Sequence, residues 1–269
     1  MNRSLADGYE SLYENFDSPL MRTLRREAYG EDIGQNSWVS ADDLRADMRR
    51  LNLSSSIRCL DLGCGPCGPL SFIVSTVGCH GVGVEISPAA IRVGRARAVS
   101  LSLESLLSVE QGDLNEPLPF ESSSFDAVVA LDVVVHLRDR LSLFREAARL
   151  LRPSGRFLFT DAGVLTGSIS NEEVRARSTH GFTQFVAAGW NETLLGSAGF
   201  GLIETENRTM SVVTNACGRL TALQAHRAEL EQMSSAAEVE SQQHYLETVI
   251  ELSRRDALSR VMYLSQRAS

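Results

Sequence analysis

At 269 residues, 43% hydrophobic and 22% charged, the chain is long enough for one large core or one domain with a sizeable appendage, and its balance excludes disorder or a fibre. A net charge of −8 argues against a nucleic-acid backbone as main partner, because phosphate binding needs a basic face. No apolar run approaches the ~18 residues of a membrane span, no membrane partner is expected, and the polar, acidic start MNRSLADGYESLYENFD is not one that a secretory signal tolerates. Five cysteines, four of them between Cys59 and Cys79, do not make a secreted disulfide framework, so a reduced, cytoplasmic location is expected.

Residues 1–51 read as an N-terminal helical cap of three short amphipathic helices, with a loop at Gly30–Ser37. Ile57–Leu62 is a predicted strand, followed by a glycine-rich turn (Gly63, Gly65, Gly68) and a helix over Leu70–Val77. Gly81–Ile86 is a second strand, and Ser87-Pro88 supplies an N-cap and first helical residue for a helix over Pro88–Leu106. Leu107–Gln111 is a third strand; Phe125–Asp132 is a near-continuous apolar run, as in a strand covered on both faces. A helix over Leu141–Leu151 stops at Arg152-Pro153-Ser154-Gly155, and Arg156–Asp161 is the next strand. Strands alternating with helices imply right-handed crossovers and a doubly wound, Rossmann-like, mostly parallel α/β sheet, here assigned to a core of residues 52–210. Residues 162–190 lack clear periodicity; Trp190–Ala198 is a helix and Phe200–Arg208 a strand. Residues 211–256, almost free of Gly and Pro, read as a helical insertion of two helices meeting near Ser234-Ser235, serving as a lid or as a homodimer element. Residues 257–269 return the chain to the core sheet as its last strand, strongest over Arg260–Gln266.

The most informative stretch is Leu60–Pro69, LDLGCGPCGP. Strand, tight turn and helix in that order let backbone N–H groups and a helix N-terminus approach a ligand closely. Two chemistries fit these residues: nucleotide-type cofactor binding at the glycines, and thiol–disulfide exchange at Cys64-Gly65-Pro66-Cys67. Asp61-Leu62-Gly63-Cys64-Gly65 resembles the first motif of class I S-adenosylmethionine-dependent methyltransferases. Further landmarks follow in order: Glu85 at the end of the second strand, Gln111-Gly112-Asp113, Leu118-Pro119-Phe120 with Phe125-Asp126-Ala127-Val128, and Leu150-Leu151-Arg152-Pro153-Ser154-Gly155. The resemblance covers residues 57–208 and is to the small-molecule methyltransferases.

The resemblance implies a seven-stranded sheet with the last strand antiparallel, and S-adenosyl-L-methionine as cofactor. Asp61, Gly63, Gly65, Glu85 and Asp113 are its implied holders, with Trp38, Ile86, Leu114 and Leu131 as further cofactor contacts. Physically, glycines admit close backbone approach, a carboxylate suits paired ribose hydroxyls, and Asp61 and Asp113 add negative field around a sulfonium. One departure stands out: Cys67 occupies a position where the family usually has glycine, and its Cβ is expected to crowd the cofactor's amino-acid end.

The reacting group expected from the family's "D…H" pattern is His136, a candidate catalytic base four residues past Asp132. Tyr13, Arg177, His180 and Phe182 are candidate substrate contacts, with a solvated charge as the plainer reading of Arg177. Asp161 reads as a strand terminator, and His226 and His244 as surface residues. No metal site is expected, since Cys59, Cys64, Cys67 and Cys79 lack paired ligand spacing. The expected function is methyl transfer to nitrogen, oxygen or carbon of a small molecule, in specialised metabolism. Two alternatives stay open: a cyclisation or rearrangement with the cofactor as scaffold, and a dithiol oxidoreductase working through Cys64 and Cys67.

Overall fold

The computed structural model describes residues 13–178 and 182–268. Its elements, in chain order, are α1 (Pro19–Tyr29), α2 (Ala41–Arg50), β1 (Arg58–Leu62), α3 (Gly68–Val77), β2 (His80–Glu85), α4 (Pro88–Ser100), β3 (Leu107–Gln111), β4 (Phe125–Leu131), a 3-10 turn (Val134–His136), α5 (Arg140–Leu150), β5 (Leu151–Leu165), α6 (Asn171–Arg177), β6 (Val186–Ala187), α7 (Trp190–Ser197), β7 (Phe200–Asn207), α8 (Thr209–Ala225), α9 (Arg227–Met233), α10 (Ala236–Arg254) and β8 (Leu258–Arg267).

The strands join in the order β3-β2-β1-β4-β5-β8-β7, a seven-strand path in which β8 runs antiparallel to both neighbours. The two-residue β6 pairs with β5 off this path and makes the eighth strand. Alternate residues of the same strands feed two cores, as a period of two requires. Cys59, Ala127, Val129, Leu131, Leu158 and Met262 face α2, α3 and α4. Leu60, Leu62, Val128, Ala130, Phe157, Phe159 and Tyr263 face α5 and α7. Both faces of the sheet are therefore covered, which is why β4 reads as an unbroken apolar run. A third cluster joins Trp38 and Ala162 to Val212, Ala216, Leu246 and Val249 of α8 and α10.

Local chemistry sets the element ends. Ser18, Ser40, Ser87, Asp139 and Ser235 each cap a helix through the side-chain oxygen, and Ser170 with Glu173 forms a capping box on α6. Helix α4 stops at Ser100, six residues earlier than its composition suggests, because Ser102 takes φ +56° and Leu103 N–H returns to Ala98 O (2.9 Å). The Arg152–Gly155 turn is absorbed into β5 as a bulge: Phe125 pairs with Leu151, and Ala127 already with Arg156. The helical segment after β7 contains three helices rather than two, with an extra break at His226, where the ring bridges Glu27 and Glu229. No helix among the described residues is long and apolar enough to cross a membrane.

Phe159 is fully buried, its ring 4.8 Å from Phe144, 5.2 Å from Phe157 and 4.7 Å from Tyr263. Truncation there removes contacts from α5, β5 and β8 together. Phe159→Ala is expected to cost about 3–5 kcal/mol in urea denaturation; a loss below about 1 kcal/mol would contradict this packing.

Candidate functional site

The C-terminal ends of β1, β2 and β4 meet around the glycine turn. Gly63 takes φ +75°, and a Cβ there would stand 2.5 Å from Val133 Cγ2. Gly65 takes φ +54° and faces the Tyr13 hydroxyl, 3.3 Å from where its Cβ would lie. Cys67 caps α3 in the left-handed region (φ +60°, ψ 24°) that glycine favours. Its side chain does not crowd the open side of the turn. It is fully buried, with Cβ against Gly94 and Sγ beside Gly83, two glycines that leave it room. Cys64 packs on Gly83 as well, and its hydrogen bond with Cys67, together with burial, pushes the Cys64 thiol well above the ordinary thiol range. Catalytic dithiols need a stabilised, accessible thiolate, so the oxidoreductase alternative loses its physical basis.

Two buried carboxylates flank the turn. Glu85, 8% exposed, closes β2 with Oε2 accepting from Gly65 N–H (2.9 Å) and Oε1 from the Ile86 and Ser87 N–H groups (both 2.9 Å). Burial raises its pKa, while the three N–H groups oppose the rise. Asp61, 2% exposed, has Oδ1 buried without a hydrogen-bond partner among the described residues. Burial, with the neighbouring Glu85 charge, pushes the Asp61 carboxyl up to about 7. An orphaned buried carboxylate oxygen is an unmet acceptor, and a cationic donor is what satisfies it best. Asp113 is half-buried after β3, with Oδ1 accepting from Asn115 N–H (2.9 Å) and Nδ2 (2.8 Å), while Leu114 packs on the second core and Leu131 ends β4.

The N-terminal segment lies directly on the turn. A Cβ on Gly68 would meet Gly34 O at 2.1 Å. Arg97 of α4 covers Gly34 and donates to Pro66 O (3.2 Å) and Asp17 Oδ1 (2.7 Å). Tyr13 accepts from Asn36 Nδ2 (3.1 Å) and packs with Ala89 and Ala90. The structure therefore groups Tyr13 with the glycine turn, apart from Arg177 and Phe182.

Trp38 reaches the end of β4 instead. Its N–H donates to Asp132 Oδ2 (2.9 Å), whose Oδ1 accepts from Arg260 Nε (2.8 Å) and Thr160 Oγ1 (2.8 Å). Burial alone would raise the Asp132 carboxyl, but the Arg260 guanidinium, the Trp38 N–H and the Thr160 hydroxyl hold it below the usual carboxylate range. Asn215 Nδ2 donates to Trp38 O (2.8 Å), and the Trp38 ring stacks on Tyr245 at 6.4 Å. Arg177 is not a solvated charge: it is 8% exposed, with Nη1 donating to Tyr245 Oη (2.8 Å). Neither is Asp161 a simple terminator, since it is fully buried and ion-paired with Arg140.

His136 sits half-buried in the 3-10 turn beyond β4, with Nδ1 3.1 Å from Phe182 O. A carbonyl only accepts, so the neutral ring carries its proton on Nδ1 and Nε2 is the basic nitrogen. Gln184 N–H to Val135 O (2.7 Å) and Arg140 Nη2 to Gln184 O (2.6 Å) fix the same strand of chain over the turn. His180 lies outside the described residues. Thr160, Arg219, Tyr245 and Arg260 were not singled out by sequence; Thr160 and Arg260 carried a signal as polar residues interrupting apolar strands, whereas Arg219 and Tyr245, on helices, carried none. Among the described residues, no group of three or more His, Cys, Asp or Glu is placed to hold a metal.

This strand order, with its glycine turn and paired acids, is the fold of class I S-adenosylmethionine-dependent methyltransferases. Residues 60–159 match the methyltransferase domain family. Over 209 residues it is 27% identical to phosphoethanolamine N-methyltransferase 1 of Zea mays, covering 78% of this chain and 41% of that protein. It is 34% identical over 150 residues to 27-O-demethylrifamycin SV methyltransferase of Amycolatopsis mediterranei, covering 51% of this chain and 54% of that one. The chain thus spans about half the length of these relatives. The solved Haemonchus contortus phosphoethanolamine N-methyltransferase 2, in complex with S-adenosyl-L-methionine, superposes with a TM-score of 0.83 at 20% identity, over 99% of this chain and 60% of that one.

The Asp61 carboxyl binds its proton more tightly folded (about 7) than unfolded (3.8), so its contribution to stability is full below pH 4 and lost as pH rises to about 7. The loss is about 4 kcal/mol at most, at about 1.4 kcal/mol per unit. Asp61→Asn is expected to flatten ligand-free stability between pH 4 and 7 and to exceed the parent above pH 7. Urea midpoints measured across that range check it; parallel pH curves for parent and variant would refute the assignment.

Proposed function

We propose that the protein is an S-adenosylmethionine-dependent methyltransferase that acts on a small molecule in specialised metabolism, by in-line transfer to a nitrogen, oxygen or carbon acceptor. The observation that carries this reading is the orphaned, buried Asp61 Oδ1 beside the Gly63–Gly65 turn. A cation with N–H donors, such as the ammonium of the cofactor's amino-acid end, meets the need of that oxygen and draws the Asp61 proton off. Glu85 is held rigid by its three backbone N–H bonds, and a carboxylate's roughly four lone-pair sites leave capacity for a ribose hydroxyl. Gly63 and Gly65 provide close approach, Asp113 offers its second oxygen to an adenine amino group, and Trp38, Ile86, Leu114 and Leu131 supply apolar wall.

When bound, the cofactor supplies an electrophilic methyl on a sulfonium with its own good leaving group. What remains for the chain is alignment, exclusion of water and removal of a proton from a hydroxyl or ammonium acceptor. His136 Nε2 is the base in this reading, with its tautomer set by Phe182 O. Helices α8 to α10, packed on Trp38 through the third core, act as the cover over the acceptor.

Calorimetry with S-adenosyl-L-methionine is expected to give micromolar binding, and Glu85→Ala to lose about 1–3 kcal/mol of it. Product mass settles the chemistry: a gain of one methylene supports methyl transfer, whereas an unchanged mass supports cyclisation or rearrangement. Absence of cofactor binding overturns the reading altogether. His136→Ala is expected to lower kcat by roughly 10²–10⁴-fold with little change in KM and to remove the acidic limb of the pH–rate profile. A variant with an unchanged profile would exclude His136 as the base.

A further inference from the structure

Four of the buried arginines are matched to carboxylates: Arg25 to Asp17 and Asp32, Arg140 to Asp161, Arg208 to Asp47, and Arg260 to Asp132. Arg177 is the exception among the described buried arginines. Its guanidinium lies 5.2 Å over the Tyr245 ring and donates to that residue's hydroxyl, and no described carboxylate forms an ion pair with it. Half-buried Arg219 of α8 repeats the pattern on the next ring: it lies 5.0 Å over Trp38, near the Tyr29 hydroxyl, and has no described ion-pair partner. Trp38 and Tyr245 stack at 21°, so two uncompensated guanidinium groups sit on one aromatic pair.

A buried guanidinium without a counter-charge is costly, and ring faces offset only part of that cost. The net charge of −8 makes two unanswered cations at this place a local feature rather than a general excess of base. The pair is anchored to the C-terminal edge of β4, since Trp38 N–H is held by Asp132. Ligands in open α/β sheets collect at that edge.

We infer that the acceptor substrate carries an oxyanion, as a carboxylate or a phosphate ester, bound by Arg177 with Arg219 as the second positive charge. This rests on the proposed methyltransferase reading and names the substrate class for the same site. The planar guanidinium offers paired N–H donors to such a group, and the Trp38–Tyr245 stack fixes the direction from which it enters.

The test uses Trp38 itself as reporter. The chain has two tryptophans, and the other, Trp190, is half exposed, so Trp190→Phe leaves emission from Trp38 alone. Inorganic phosphate and acetate are titrated into this protein at constant ionic strength. A saturable change is expected; preference for phosphate assigns a phosphate ester, and preference for acetate a carboxylate. Arg177→Met, added to it, is expected to weaken binding roughly ten- to a hundredfold, and Arg177→Lys to keep more of the affinity than Arg177→Met at an unchanged melting temperature. No response to either anion, or equal affinity in Arg177→Met, overturns the inference. S-adenosylmethionine calorimetry on the same samples separates the two readings: intact cofactor binding with no anion response removes only the oxyanion, whereas an anion response without cofactor binding removes only the methyltransferase.

Discussion

The buried pair of Asp132 with Arg260 ties four parts of the chain to the C-terminal edge of β4. Asp132 takes φ +57° just past the strand, and its two oxygens receive Arg260 from β8, Thr160 from β5 and the backbone of Trp38 from the N-terminal segment. Arg260 is wholly buried and also lies 3.7 Å from Asp43 of α2. Breaking such a pair by removing one partner leaves an uncompensated buried charge, typically worth about 3–5 kcal/mol. This contact fixes the backbone of Trp38, on which Tyr245 stacks and against which the helices above it pack.

A second constraint works at the glycine turn. Residues around Ile33 and Gly34 press on Gly68, and Arg97 fastens them to Pro66 and Asp17. Beneath them Asp61 keeps an unanswered oxygen in a buried site. Such a group lowers the stability of the empty protein and raises the value of any cation that reaches it, the usual relation between a strained site and its ligand. The neighbouring thiols contribute nothing to that charge. Cys64 and Cys67 fill the space over Gly83 as small apolar groups.

The two ends of the candidate site differ in kind. Around the turn the polar groups are acidic: Asp61, Glu85 and Asp113. Beyond Trp38 they are basic and aromatic, with Arg177 and Arg219 on the Trp38–Tyr245 stack. Electrostatics of opposite sign at the two places discriminate between ligands of opposite charge.

Sequence by itself determined the alternating strands and helices, the glycine turn and the acids Asp61 and Glu85. These are local signals: period-two apolar runs, serine and proline at helix starts, and glycines where backbone turns tightly. It also placed His136 beyond β4 by counting along the chain. Only the tertiary structure decided which charges are buried and what they face. Arg177 reads as solvated and Asp161 as a terminator until α10 and α5 pack against them. Cys67 reads as a threat to the turn until Gly83 and Gly94, distant in sequence, make room for it. The register of β5 across its bulge and the pairing of Asp132 with a guanidinium 128 residues later are long-range outcomes. Burial and partner choice depend on contacts between separate elements, and no local pattern of residues encodes them.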